Sequence, residues 1–353
     1  MQGSGSGKVM VMTTIGCRLH YTGISFSRPC TARPSPMKLH QMQALVAVAD
    51  AGSIRAAARL EGLSQAAVTK ALRELELEVM LPLLLRTASG VALTEAGQRL
   101  LGHARLVVGQ LARANDDLAV LRGERVGRLS ISVTPWIMLT FLPRVLLLFR
   151  QRMPEVQVEI FEGLTAVALP RLREGMLDFA IGPFTAAMPT QEFECEPLLG
   201  YGSCVIARQG HPCAGAKSLH ELVECDWTVN YTTASYDTFM QNLFWQHGAN
   251  IAASRLHCAH SIALLVELIR HVGMLSYCPK PLLVCDAMRG WVQPVRISEQ
   301  FETSRLGIIG RRNTMRSNAA QCFVECLLEE VRRRSRSAAR GDAELFDLLD
   351  VLF

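Results

Sequence analysis

Gln65, Thr69, Lys70 and Arg73 stand in the stretch LSQAAVTKALRELE, separated by four, one and three residues. On a helix that spacing puts them on one side, near its start. Gln and Arg carry paired hydrogen-bonding groups that match base edges, and Lys70 suits a phosphate. Ala66 and Thr69 are small enough to let a groove wall approach. Val68, Leu72, Leu75 and Val79 recur at 3-4 spacing and are expected to face inward. The alternative is the solvated face of an ordinary small bundle, and periodicity alone does not separate the two.

A second set of candidates sits where predicted strands end. Thr134, Pro135 and Trp136 follow the alternating strand GRLSISVT. A hydroxyl there, with free N–H groups from Trp136 to Met138 at a helix start, suits a carboxylate or sulfonate. An ordinary helix cap explains the same residues. Thr165, Phe184, Asn230, Tyr231, Ser261 and Tyr277 are further strand-end candidates. Trp136, Phe184, Tyr231 and Tyr277 together would wall a cleft for an aromatic or bulky organic acid. His257, Cys258 and His260 lack the carboxylate spacing that would complete a metal site. Asp226 and Asp237 do not make an acid–base pair, and neither a Gly-rich phosphate loop nor a nucleophile elbow occurs.

The elements that must position these residues are legible from pattern. LHQMQALVAVAD gives one apolar stripe of Leu39, Met42, Leu45, Val46 and Ala49. Ser53 and Ser64 are placed to cap the next two helices, with Gly62 between them. Two helices joined by a tight turn are a helix-turn-helix. LPLLLRTASGVALTEAG then reads as a hairpin ending at a Thr94 cap, which makes the motif winged, with Arg86 and Thr87 at the wing. A long helix over 95–121 carries Leu100, Ala104, Val107, Leu111, Ala114, Leu118 and Leu121 at heptad spacing, a seam expected to pair with a second copy. From Arg128 strands and helices alternate as βαβαβ, implying a parallel sheet. A second such series runs from YGSCVIAR onward. Two lobes, 128–197 with 295–330 and 198–294, are expected, joined by crossings near 183–200 and 289–298. The tail 331–353, ending in RRRSRSAARGDAELFDLLDVLF, is either a solvated extension or a packing segment in the oligomer.

In combination, LHQMQALVAVADAGSIRAAARLEGLSQAAVTKALRELE, PLLLRT and LTEAGQRLL resemble the head and linker helix of LysR-type transcriptional regulators. The resemblance covers roughly 37–330. It implies an N-terminal winged helix-turn-helix over 37–94, a linker and dimerisation helix over 95–121, and a C-terminal two-lobed α/β effector domain of the periplasmic-binding-protein type II kind. It implies contacts to double-stranded DNA from Ser53, Arg55, Ser64, Gln65, Ala66, Thr69, Lys70, Arg73, Arg86 and Thr87. It further implies a small-molecule effector between the lobes, with a Ser or Thr at the Thr134 position holding it. A homodimer assembling to a homotetramer, RNA polymerase as partner, and a bacterial cytoplasmic location follow from the same likeness. No cofactor, metal, membrane or enzymatic activity is expected. The chain departs from the family where Ala66 replaces Pro, where Met80 stands near a usual Gly, at Leu84 or Leu85 for Phe, and where Ser89 lacks a basic wing residue.

Two other readings stay open: a binding protein or enzyme with a degenerate head, and a thiol switch in place of an effector. The 353-residue chain is 49% hydrophobic with a net charge of +5. Lys8, Arg18, Arg28 and Arg33 supply four of those charges within residues 1–36, which contain no acid. The remainder is near neutral, so any polyanion surface must be local. Glu74, Glu76 and Glu78 are expected to temper DNA affinity in the head. Residues 1–36 read as a disordered leader or start-site extension, without a signal-peptide core. Eleven cysteines form no CxxC pair and read as reduced thiols.

Overall fold

The computed structural model describes residues 37–87, 90–122, 127–185 and 188–353. The expected leader, residues 1–36, lies outside them. No helix among the described residues is long and apolar enough to cross a membrane.

The head contains α1 (Leu39–Ala51), α2 (Ile54–Leu60) and α3 (Gln65–Val79). Ser53 Oγ accepts from Ala56 N and Ser64 Oγ from Ala67 N, each at 3.1 Å, so both serines start their helices as the sequence predicts. Val68, Ala71, Leu72 and Leu75 of α3 are buried, and Val79 packs at their edge. The stripe on α1 is rotated from the expected one. Gln41, Ala44, Leu45, Ala47 and Val48 are buried, while Met42, Val46 and Ala49 only flank the core. The reason is that α1 touches α2, α3 and also the linker helix, so a wider face is covered. Gln41 enters that core because its Oε1 accepts from Lys38 N at 2.8 Å and its Nε2 donates to Glu78 at 3.2 Å.

The wing is β1 (Leu84–Thr87) paired antiparallel with β2 (Gly90–Leu93), Leu84 opposite Leu93. Thr94 ends it: its hydroxyl donates to Pro82 O and accepts from Gly97 N at the start of α4 (Glu95–Leu121). The seam of α4 divides. Leu101 and Ala104 are buried and Leu100 packs beside them in the head core, whereas Val107, Leu111 and Leu118 are 45%, 39% and 52% exposed. The expected three-heptad seam therefore loses its first members to the head, because α1 lies against them. Leu121's side chain lies outside the described residues.

The remaining chain forms two lobes. In order come β3 (Gly127–Val133), α5 (Pro135–Thr140), α6 (Leu142–Arg152), β4 (Val156–Glu162), α7 (Thr165–Arg173), β5 (Phe179–Phe184) and β6 (Phe193–Tyr201). Then follow β7 (Ser203–Arg208), β8 (Trp227–Val229), α8 (Tyr236–Leu243), β9 (Leu256–Cys258), α9 (Ile262–Glu267), β10 (Ser276–Pro279) and β11 (Val292–Pro294). The chain returns through β12 (Ser304–Arg311), α10 (Asn318–Ser335), α11 (Arg340–Phe346) and β13 (Leu349–Val351). The lobe I sheet has the order β13-β6-β12-β5-β3-β4, with β3, β4 and β5 parallel as the alternation predicts. In lobe II, β10-β7-β11 run antiparallel and β8 pairs parallel with β9. Trp136, Phe141, Phe149 and Phe323 fill lobe I. Each such ring contributes about 1.5–3 kcal/mol on burial.

Two boundaries differ from expectation. All of β6 belongs to lobe I, so the first crossing is at Gly202 and the second spans 295–303. FECEPLLGY escapes a pattern reading because Pro197 and two acids interrupt its alternation; its partner β12 supplies the register. The tail is not a solvated extension but packs within its own chain. β13 pairs with the end of β6, Leu349 opposite Tyr201, and α11 reaches lobe II through the 280–284 turn and an Arg289–Glu344 ion pair of 2.7 Å. Leu345 and Leu349 are buried there, which no helical or strand period of so short a segment discloses.

Candidate DNA-reading face and effector cleft

Because Val68, Leu72 and Leu75 hold one side of α3 in the core, Gln65, Ala66, Lys70 and Arg73 are exposed on the other. Thr69 is half-buried, and its hydroxyl donates to Gln65 O at 2.8 Å, leaving lone pairs to accept. These residues border an open groove that ends at Leu77. Arg55 is exposed on α2. Ser53 and Ser64 each use an oxygen lone pair on a helix cap. Arg86 and Thr87 fall on β1, and their side chains lie outside the described residues. Glu76 and Glu78 do not oppose this face. Glu76 accepts from Leu83 N and Leu84 N at 2.8 and 3.1 Å, and Glu78 holds Gln41. Glu74 alone of the three sits beside the reading residues, 3.8 Å from Lys70.

One side chain joins this head to the effector domain. Arg105 of α4 reaches Asp50 of α1 at 2.5 Å and Glu174, just after α7, at 2.7 Å. It is mostly buried, so the two bonds act in a partly desolvated setting.

The carboxyl ends of β5, β3 and β4 lie side by side, which gathers Phe184, Thr134 and Thr165 on one rim. In lobe II, β8 beside β9 does the same for Asn230, Tyr231 and Ser261. Each of these is half-buried except Thr134, which is 7% exposed. The rims meet through Glu162, whose carboxylate accepts from Ile262 N at 2.8 Å, beside the Ser261 cap position of α9. Thr165 donates its hydroxyl to Pro183 O at 2.8 Å.

The aromatic wall expected from the sequence does not form as a unit. Trp136 is 1% exposed, packed in the lobe I core 5.3 Å from the Tyr201 ring, and its Nε1 has no partner among the described residues. Two of the N–H groups after Thr134 are also not free: Ile137 N and Met138 N both donate to Thr134 O. Pro135 begins a helix of six residues. Thr134 stands at the N-terminal boundary of this helix but its hydroxyl makes no cap hydrogen bond among the described residues. Tyr231 and Tyr277 each pack on Phe239, at 5.5 and 6.5 Å.

Phe184 and Tyr277 do share one space. They line a cavity of about 710 Å³ that receives Ser304 and Arg305 from lobe I and Asn242 and Gln246 from lobe II. Burial pushes the Tyr277 phenol up to about 12, against the opposing pull of a hydrogen bond with Ser203. It therefore stays a neutral hydroxyl at physiological pH. Sequence reading missed Asn242, Gln246 and Arg305. Asn242 lies three residues after Phe239 on α8, and Gln246 follows in the next 3-10 turn, where its Nε2 donates to Asn242 O; Arg305 follows from the strand register alone.

Two family profiles match this chain. The one described as LysR substrate binding domain covers residues 122–332, and the one described as bacterial regulatory helix-turn-helix protein, lysR family, covers 39–98. The chain belongs to the LysR family of transcriptional regulators. As such it is a DNA-binding protein, not an enzyme, and its C-terminal domain takes effectors. This LysR-type regulator is 36% identical over 316 residues to the HTH-type transcriptional regulator PtxR of Pseudomonas aeruginosa, covering 88% of this chain and 98% of that one. It is 26% identical over 278 residues to TdcA of Escherichia coli, covering 79% and 88%. Among solved structures, a full-length cysteine-to-aspartate variant of OxyR from Pseudomonas aeruginosa superposes with a TM-score of 0.59 at 18% identity, covering 84% and 95% of the two chains. Full-length CbnR complexed with its target DNA gives 0.56 at 21% identity, covering 83% and 100%. These two likenesses show the fold.

Proposed function

We propose that this regulator reads its operator with Gln65, Ala66, Thr69, Lys70 and Arg73, and changes its grip when an organic anion occupies the space between the lobes. The outward face of α3 carries this reading: base-matching side chains stand exposed on a helix whose other side is locked into the head. Arg55, Ser53, Ser64, Arg86 and Thr87 would add contacts to the backbone. Two copies would pair through Val107, Leu111 and Leu118, which places two reading helices on one duplex, and dimers would assemble to a tetramer. RNA polymerase in the bacterial cytoplasm would be the recipient of the signal. In the cavity, Arg305 offers a cation for a carboxylate, and Phe184 with Tyr277 offers ring faces. Thr134, Thr165, Asn230, Tyr231 and Ser261 do not line that cavity and would act from the strand ends, while Trp136 would act only by holding Thr134's turn.

The test is a mobility shift on the DNA upstream of the gene. A Gln65→Ala, Thr69→Ala, Arg73→Ala triple variant should lose at least about a hundredfold in specific affinity, at roughly 1–3 kcal/mol per base contact, with an unchanged circular dichroism spectrum. Retained affinity would reject α3 as the reader.

A further inference from the structure

The segment between β7 and β8 holds two thiols that nothing else in the regulator uses. Cys213 lies in a short 3-10 turn over Pro212–Gly215, and Cys225 lies two residues before β8. Their Sγ atoms are 2.9 Å apart, and both residues are partly exposed. That leaves under about 1 Å to a bonded pair at about 2.05 Å. We propose that Cys213 and Cys225 are a disulfide site, closed by a hydroperoxide, that stiffens the segment anchoring the second crossing between the lobes.

The other close thiols are poorer candidates. Cys204 and Cys278 face each other across β7 and β10, but both are buried in the core where a peroxide has no access. Cys326 is buried as well, and Arg152 lies against its sulfur. The 213–225 pair combines contact with access.

The electron balance is simple. One thiol sulfur attacks the peroxide oxygen, becomes a sulfenic acid and releases alcohol or water. The second sulfur then displaces the sulfenic oxygen, which leaves as water with the remaining thiol proton. Two thiols lose two electrons and the peroxide gains them. Burial, and the hydrogen bond with Cys213, push the Cys225 thiol up to about 12.

The consequence follows from what the segment holds. Ser298 N donates to Lys217 O at 2.8 Å, and Glu299 accepts from Ser218 Oγ and Leu219 N at 2.7 and 2.9 Å. Ser298 and Glu299 lie in the 295–303 crossing. A bond between 213 and 225 narrows the freedom of the loop to which that crossing is tied.

The chain offers a clean assay. Trypsin cuts after Arg208, Lys217 and Arg255, so peptides 209–217 and 218–255 contain Cys213 and Cys225 as their only cysteines. The reduced full-length protein is treated with hydrogen peroxide, alkylated and digested without reductant. The expected product is these two peptides joined, two hydrogens lighter than their sum, and absent from C213S and from C225S. Amide exchange at Leu219 and Ser298 should slow in the oxidised parent and not in either variant. Free 209–217 peptide after peroxide, or a linkage through Cys204 and Cys278 alone, overturns the site. A linked pair with unchanged exchange overturns its effect on the crossing.

Discussion

Glu162 and Ile262 stand a hundred residues apart and are joined by a 2.8 Å hydrogen bond from backbone to carboxylate across the two lobes. Glu162 ends β4 of lobe I, and Ile262 opens α9 of lobe II, where an N–H outside the helix's own ladder and a positive helix end favour an anion. The bond ties the two lobes at the strand-end rims. Replacing Glu162 with Ala should raise the exchange rate of the Ile262 amide about tenfold or more, from a charged hydrogen bond of about 1.5–3 kcal/mol. An unchanged rate would mean that the lobes do not rest on this contact in solution.

Arg105 touches both the head and lobe I, through Asp50 and Glu174. Arg105→Ala should leave both parts folded, at a cost of about 1 kcal/mol. It should shrink the change in operator affinity that a saturating effector causes, since the coupling between sites loses a shared contact. An undiminished effector response in a titration of labelled operator would place the coupling elsewhere.

Val107 and Leu111 are exposed on α4, whereas Ala104 is sealed in the head. Leu111→Asp should therefore reduce the mass seen by light scattering to about half that of the parent assembly without lowering the melting temperature of the head. Ala104→Asp should unfold the head, because an unpaired charge is buried. A Leu111→Asp protein with the parent's full mass would exclude this seam as the dimer contact.

Met80 closes α3 with φ 57° and ψ 27°, the left-handed conformation that glycine adopts without strain. Half of its surface is exposed, so little packing offsets the strain. Met80→Gly should stabilise the head by about 0.5–1 kcal/mol in urea denaturation. A destabilised variant would show that Met80's contacts outweigh its backbone.

The tail is fastened by Arg334 and Asp342 at 2.5 Å, with Arg334 also donating to Thr140 O at 2.6 Å. Burial pushes the Asp342 carboxyl up, but hydrogen bonds from Arg334 and Ser337 and the nearby guanidinium charges outweigh it, and the net shift is downward. A carboxyl lowered by folding stabilises fully above its unfolded value near about pH 3.9, and the contribution is lost as the pH falls through the lower folded value. Asp342→Asn should cost about 1–2 kcal/mol at neutral pH, and the gap from the parent should close as the pH falls through the lowered folded value. A gap that persists in acid would assign the effect to packing.

Much of this regulator is written in short-range pattern. Ser64 starts α3 and the 3-4 spacing of Val68, Leu72 and Leu75 turns Gln65 and Arg73 outward, because a helix fixes each side chain's direction from its neighbours alone. The alternation from Gly127 to Phe184 likewise specifies three parallel strands, and with them the rim that holds Thr134, Thr165 and Phe184. The three parallel strands and the outward-facing residues of α3 therefore needed no coordinates.

The tertiary structure decided everything that depends on which surfaces meet. A heptad on α4 is the same pattern whether it faces the head or a second chain; the position of α1 assigns Ala104 to the head and leaves Leu111 uncovered. Trp136 follows a strand end in the sequence yet is enclosed by Tyr201 and Phe141, and β13 finds its partner in β6, far earlier in the chain. The Glu162 bond, the Phe184–Tyr277 cavity and the Cys213–Cys225 contact arise in the same way. Helical and strand periods record the neighbours a few residues away, and closure between distant segments leaves no period to read.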